Sequence, residues 1–304
     1  MIELPDIKKI KVAIDKIENN LTGEKNVSLS ILRLDKINSE ISGNKFFKLY
    51  YFLEKAIAEQ KNIITFGGAY SNHLAATASA CKMFGIKCIG IVRGEAPKNL
   101  SHTLLFCKEK GMQLEFISRE NYKRKDNIDF KIKFAHKFAG HILIPEGGYS
   151  KEGTEGASLI SNFYSNKGFT HICCAAGTVT TLAGLIKLSL PFQHVIGFSA
   201  LKKPDDFDSR IKFLLGKSLD KNYFLITDYH FGGYAKKTDE LLLFMNTFYE
   251  SFAIPTDFVY TAKMMFGIFD LIKKNYFTSG SKILCIHTGG LQGNFSLPSG
   301  TLNF

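Results

Sequence analysis

The feature that most constrains this 304-residue chain is an alternation of short apolar, often β-branched runs with amphipathic stretches of helical length. The runs at 63–66 (IITF), 88–92 (CIGIV), 114–118 (LEFIS) and 142–145 (ILIP) predict one series of strands. Those at 172–175 (ICCA), 195–199 (VIGFS), 224–227 (FLIT) and 283–287 (ILCIH) predict a second. Helices are expected at 48–60, 71–85, 100–111 and 238–252. Strands separated by helices of about ten to fifteen residues indicate βαβ units and mostly parallel sheets. A Gly-rich stretch, PEGGYSKEGTEGA at 145–157, separates the two series, so two α/β units meeting at a cleft are expected.

A chain that is 45% hydrophobic and 13% aromatic can bury a substantial core at this length. Its longest apolar runs, such as HICCAAG and KILCIHTGG, fall short of the roughly 20 residues that cross a membrane. The opening MIELPDIKKIKVAIDKI has no signal-peptide apolar region, which makes a cytoplasmic location the expectation. Six cysteines without a CxxC pair read as buried thiols, with neither disulfides nor a metal site expected. The net charge of +11 is dispersed, apart from the stretch NYKRKDNIDFKIKFAHK at 121–137. That distribution suits solubility or attraction of anionic metabolites better than a nucleic-acid partner.

In open parallel sheets, ligands bind beyond the carboxyl ends of strands. At TFGGAYSNH (65–73), Ser71 and Asn72 are good helix caps, or alternatively ligands for a carboxylate or other anion. At AAGTVTTLAG (175–184), backbone amides and threonine hydroxyls suit a phosphate that is held and not transferred. No GK[ST] or complete GxGxxG follows there, and a tight turn with threonine caps is the competing reading. HTGGLQG (287–293) offers Thr288, and PEGGYSKEG (145–153) stays open between a site loop and a glycine hinge. HFGGYAKK (230–237) and IPTDFVYTAK (254–263) place Tyr234 and Tyr260 beside turns. Each tyrosine is either a half-buried packing residue or a group that orients a carboxylate and moves a proton. SGNKFFKL (42–49) sets two lysines behind a turn, and on its own reads as a helix start with Phe46, Phe47 and Leu49 inward and both amines in water. A phosphorylated aldehyde cofactor would use every part, with Lys45 as the Schiff-base lysine and residues 177–181 around the phosphate.

Taken together and in this order from about residue 30 to 293, these seven stretches resemble the pyridoxal-phosphate enzymes of the 1-aminocyclopropane-1-carboxylate deaminase and D-cysteine desulfhydrase family. The resemblance implies a tryptophan-synthase-β-like α/β fold: two open, twisted, mostly parallel sheets flanked by helices, with the active site between domains. A large cofactor domain would comprise 1–47 and 158–304, and a small inserted domain 48–157. It implies Lys45, beside Asn44, as the cofactor's lysine and Lys48 as a phosphate ligand. Asn72 would hydrogen-bond the cofactor's 3′-oxygen. Gly177, Thr178, Val179, Thr180 and Thr181 would form the phosphate loop, and Thr288 would face the pyridine nitrogen. Ser71, Asn72, His73, Tyr234, Tyr260, Thr261 and Gly289 would surround the substrate, with Ser71, Tyr234 and Tyr260 also taking part in the chemistry. The family's commoner loop is GTGTT, and Val179 replaces its middle glycine. Backbone donation survives that change only if the position does not need positive φ. Ring openers of this family resemble one another in a glutamate after the second tyrosine and a leucine before the last paired glycines. Thr261 and Thr288 stand there instead, the desulfhydrase pattern, which implies β-elimination from a D-amino acid such as D-cysteine. Ring opening, racemisation and a non-catalytic cofactor-binding protein are the alternatives, and a homodimer is implied.

Overall fold

The computed structural model describes residues 4–38, 41, 43–216 and 221–304; Ser42 of the SGNK turn lies outside them. In chain order, β1 (Ile14–Ile17), α1 (Asn20–Glu24), β2 (Ser28–Arg33) and α2 (Asn44–Ala58) come first. Next are β3 (Asn62–Gly67), α3 (Asn72–Met83), β4 (Cys88–Arg93), α4 (His102–Glu109) and β5 (Gln113–Ile117). α5 (Arg119–Lys123), α6 (Ile128–Lys137), β6 (His141–Ile144) and α7 (Lys151–Ser158) lead into the second half. There β7 (His171–Ala176), α8 (Thr180–Lys187), β8 (His194–Ser199), α9 (Phe207–Leu215) and β9 (Asn222–Ile226) precede α10 (Asp239–Phe252), α11 (Thr261–Lys273) and β10 (Lys282–His287).

Two sheets result, ordered β1-β2-β10-β7-β8-β9 and β5-β4-β3-β6. Every pairing is parallel except that of β1 with β2. All eight expected strands are present. The central strands β7, β8 and β10 are buried after their first residue, as strands covered on both faces must be. The alternation did not reveal β1 and β2. β2 reads SLSILR, with two serines and an arginine breaking its apolar run. Arg33 is nevertheless 3% exposed, because it forms ion pairs with Asp15 of β1 at 2.7 Å and with Asp35 at 2.6 Å. The six cysteines are all buried free thiols. Among the described residues no helix is long and apolar enough to cross a membrane.

Each sheet reverses its strand order once. In the larger sheet β7, β8 and β9 step outward, whereas β10 returns on the other side of β7. In the smaller one β3, β4 and β5 step outward and β6 returns beside β3. Loops leaving neighbouring strands at such a reversal diverge and open a crevice. Both crevices open into one cavity, lined by residues that follow β3, β6, β7 and β10.

Much of the Gly-rich boundary stretch is helix and not hinge. Only Glu146–Gly148 forms a tight 3₁₀ turn, and Lys151–Ser158 is α7. α7 lies against the start of α2: a Cβ added at Gly156 would sit 2.0 Å from the carbonyl oxygen of Phe47. We predict that Gly156→Ala forces α2 away from α7. It should lower the unfolding free energy by about 1–3 kcal/mol, the usual cost of overpacking, read by urea denaturation of the cofactor-free protein.

Candidate active site

The start of α2 carries both lysines of the SGNKFFKL stretch, one turn apart, and abuts the end of β10. Gly43 has φ 71°, and a Cβ there would lie 1.8 Å from the Thr288 carbonyl oxygen, so no other residue fits. The Asn44 amide donates to that carbonyl at 3.3 Å. Lys45 is half-buried and lines the cavity. Its Nζ donates to Asn44 Oδ1 at 3.0 Å, and Asn44 Nδ2 donates to Thr181 Oγ1 at 2.6 Å. Lys48, 4% exposed, donates through Nζ to the Gly147 carbonyl at 3.0 Å and to Thr178 Oγ1 at 3.4 Å. Burial lowers the Lys45 amine to about 8, against the opposing pull of Asp257. Burial, then repulsion by Lys45, pushes Lys48 well below its ordinary value. The solvated reading of this stretch therefore fails for both amines. The expectation that Phe46 and Phe47 face inward holds: both are buried and meet edge to face at 5.3 Å.

Across the cavity Ser71 caps α3, accepting from the Leu74 amide at 3.3 Å. Asn72 Nδ2 donates to the Gly290 carbonyl at 3.4 Å, whereas its Oδ1 is buried without a partner. His73 Nε2 lies 2.9 Å from Thr65 Oγ1, which itself donates to the Ile144 carbonyl, so the network assigns the proton to Nε2. His73 Nδ1 is left buried and unpaired, and burial holds the imidazole well below its ordinary value.

The loop before α8 is shaped by a close contact and a strained residue. A Cβ at Gly177 would lie 3.0 Å from Tyr260 Cε1 and 3.3 Å from its hydroxyl. Val179 has φ 55° and ψ 0°, a left-handed conformation that costs a β-branched residue about 1–2 kcal/mol. The positive φ is thus present without the glycine. Val179 is only 5% exposed, and burying its side chain contributes about 1.5–3 kcal/mol, which offsets the strain.

Tyr234 and Tyr260 both line the cavity, with ring centroids 6.0 Å apart at 70°. Tyr234 is 53% exposed, whereas burial and the Tyr234 phenol push Tyr260 well above the ordinary tyrosine range. Thr288 and Gly289 also line the cavity. Behind them His287 Nε2 meets the Pro255 carbonyl at 2.7 Å, and its Nδ1 lies 3.3 Å from Asp35.

Two expected site residues are not among those lining the cavity. Thr180 Oγ1 turns to Thr178 Oγ1 at 3.2 Å. Thr261 is fully buried and donates through Oγ1 to Asp257 Oδ2 at 2.7 Å. That carboxylate also accepts from the Val259, Tyr260 and Thr261 amides at 3.0, 2.8 and 2.9 Å, because the chain starts α11 with an Asp-capped turn. Thr261 is thus committed to the cap and not presented to a substrate. Sequence reasoning passed over Glu146, Gly147 and Arg210, which line the cavity, and Asp257, which holds Tyr260. The position of Glu146 just beyond a strand end was the available signal for it. Asp four residues before Thr261 was the signal for the cap.

The profile of the pyridoxal-phosphate dependent enzyme family matches residues 19–289. A protein of Pyrococcus horikoshii carrying the provisional name 1-aminocyclopropane-1-carboxylate deaminase is 31% identical, over 91% of this chain and 88% of its own. A bifunctional D-cysteine desulfhydrase/1-aminocyclopropane-1-carboxylate deaminase, mitochondrial, of Arabidopsis thaliana is also 31% identical, over 90% and 75%. Among solved structures, that of an ACC deaminase homologue is similar at a TM-score of 0.78 and 28% identity, covering 97% of this chain and 94% of that one.

The cavity, of about 240 Å³, fits the cofactor of that family. Among the described residues neither Lys45 nor Lys48 has a carboxylate within ion-pair distance, although both amines stand at the positive end of α2. An anion between Lys48 and the start of α8 relieves that imbalance. A hydroxyl on the ring would donate to the buried Asn72 Oδ1 and leave the Nδ2 bond to the Gly290 carbonyl intact.

Because folding disfavours the Lys45 ammonium, the unfolded chain binds more protons between about 8 and 10.5, and this group's contribution to stability rises with pH across that window. Competitive labelling of the cofactor-stripped protein with a trace amine-reactive reagent should show Lys45 titrating with a midpoint near 8. A midpoint at the ordinary 10.5 would contradict the burial of the amine.

Proposed function

This chain belongs to the pyridoxal-phosphate dependent enzyme family, and from that premise we propose that it is a D-cysteine desulfhydrase, releasing sulfide by β-elimination and then pyruvate and ammonia as water hydrolyses the remaining enamine. The observation that carries the reading is the Lys45 amine, lowered to about 8 by burial, at the point where loops from both sheets converge. When bound, pyridoxal phosphate supplies an electron sink for charge developing on the substrate α-carbon. Lys45 removes the α-proton, since an amine with a value near 8 has a useful neutral fraction at working pH. Lys48, the Thr178 and Thr181 hydroxyls and the amides of residues 177–181 hold the phosphate. Ser71 and the start of α3 hold the substrate carboxylate, and Asn72 orients the ring. Tyr260 keeps its proton, because its phenol is raised, and donates to the departing sulfur; Tyr234 closes the cavity beside it. Residues 48–157 form the inserted domain in this reading, and 1–47 with 158–304 the cofactor domain.

Thr288 supports elimination over ring opening. A hydroxyl lines the cavity where the ring-opening pattern differs, and a hydroxyl facing the pyridine nitrogen leaves it largely unprotonated and the electron sink milder. The names of the relatives favour a second reading as well, ring opening of 1-aminocyclopropane-1-carboxylate on the same residues.

One preparation assayed with D-cysteine, L-cysteine and 1-aminocyclopropane-1-carboxylate separates these readings. Sulfide and pyruvate from D-cysteine alone are expected. A 2-oxo acid from the cyclopropane substrate alone would select the second reading, and product from none of the three would reject both. Lys45→Ala should lower turnover by about 100- to 10,000-fold and abolish borohydride-fixed attachment of the cofactor to the peptide containing residue 45.

A further inference from the structure

Lys263 is a cation that the chemistry above leaves unused, yet it is 2% exposed. Burying an ammonium is unfavourable unless it is paired and hydrogen-bonded, so its partners indicate what it does. Nζ donates to the carbonyls of His230 and Gly233, each at 2.8 Å. Both carbonyls belong to one turn, in which the Gly233 amide donates back to the His230 carbonyl at 3.0 Å. The next residue is Tyr234.

Within the turn the Gly232 amide donates to His230 Nδ1 at 2.9 Å and the Lys236 amide to the Gly233 carbonyl at 3.1 Å, but these bonds are internal and do not tie it to α11. Phe231 and Ala235 have φ values of 50° and 53°, flanking Gly232 at 90° and Gly233 at 115°. Non-glycine residues stay in that region only where their surroundings over-determine them. The Tyr234 ring, more than half exposed, meets Tyr260 edge to face, and its position depends on the turn that carries it. Phe231 anchors one side of the turn, meeting Phe266 of α11 edge to face at 4.9 Å. Lys263 supplies the polar anchor from the same helix, one turn beyond Tyr260, whose amide is tied to Asp257. Asp257 also opposes the loss of the Lys263 proton, while burial lowers that amine to about 8. A compact ammonium with three rotatable donors can serve two carbonyls of one turn, which a planar guanidinium does less readily.

We propose that Lys263 is a positioning residue: it ties the turn before Tyr234 to α11, and so sets the spacing of Tyr234 and Tyr260, the two phenols of the active site. The proposal rests on the reading above in assigning this pair to the reacting substrate. In cofactor-loaded Lys263→Met, amide exchange over residues 230–236 should quicken by about 10- to 100-fold, the loss of charge-assisted hydrogen bonds read as local opening. Exchange in α8 should be unchanged. With D-cysteine, kcat should fall by about 10- to 100-fold, as expected when the phenol packed on the proton donor Tyr260 is misplaced, while KM and cofactor affinity stay near wild type. Lys263→Arg, which keeps the charge and donors, should recover part of both losses. If Lys263→Met does not fold, Lys263→Gln, which keeps amide donors on a shorter stem, should show the same changes in smaller measure. Wild-type exchange over 230–236 in the folded variants, or losses of KM and cofactor affinity equal to that of kcat, would overturn the proposal. Wild-type enzyme inactive on D-cysteine would refute the function reading, and the exchange measurement would still decide the anchor.

Discussion

Two lysine amines buried side by side at the start of one helix are the condition to which the rest of the structure answers. Lys45 and Lys48 repel each other, stand where the helix dipole is already positive, and are largely removed from water. Each circumstance is unfavourable to an ammonium. The surroundings respond with neutral acceptors, Asn44 Oδ1, the Gly147 carbonyl and Thr178 Oγ1, and with Asp257 at longer range. The result is a cavity wall on which two desolvated amines face neutral acceptors, with Lys45 lowered to about 8.

Holding those amines in place requires backbone contacts that side chains would prevent. Gly43 lets the start of α2 touch the Thr288 carbonyl, and Gly156 lets α7 touch the Phe47 carbonyl. Asn44 continues the connection by bonding Thr181, at the start of α8. Helix α2 is therefore clamped between the end of β10, α7 and α8, and the reversals of strand order in both sheets open beside it. The cavity is a consequence of topology, and the amines are its occupants by helix placement.

Where the chain departs from the family's commoner pattern, the structure shows how each departure is accommodated. Val179, where the commoner pattern has glycine, adopts a left-handed backbone, and burial of its side chain offsets the strain. Thr261 turns inward to complete the Asp257 cap and leaves the cavity to Tyr260. A change of residue type at position 261 thus alters the frame that holds a phenol and does not simply exchange one substrate contact for another.

The sequence by itself determined eight of the nine strands with parallel pairings, because each reads as a short apolar run between turn signals. It also determined the loops of the site, because glycines, threonines and N-cap residues at strand ends are local signals. It could not reveal β1 and β2, since Arg33 reads as a surface charge until Asp15 and Asp35, one of them on another strand, are brought to it. Nor could it separate Thr288, which lines the cavity, from Thr261, which does not: both are threonines next to a candidate site residue. Tertiary structure decided the state of the two lysines of SGNKFFKL, because desolvation and mutual repulsion depend on what surrounds an amine and not on its neighbours in the chain. It likewise decided that Lys263, an unremarked residue at the end of IPTDFVYTAK, lies beneath a turn some thirty residues earlier, a contact that only folding creates.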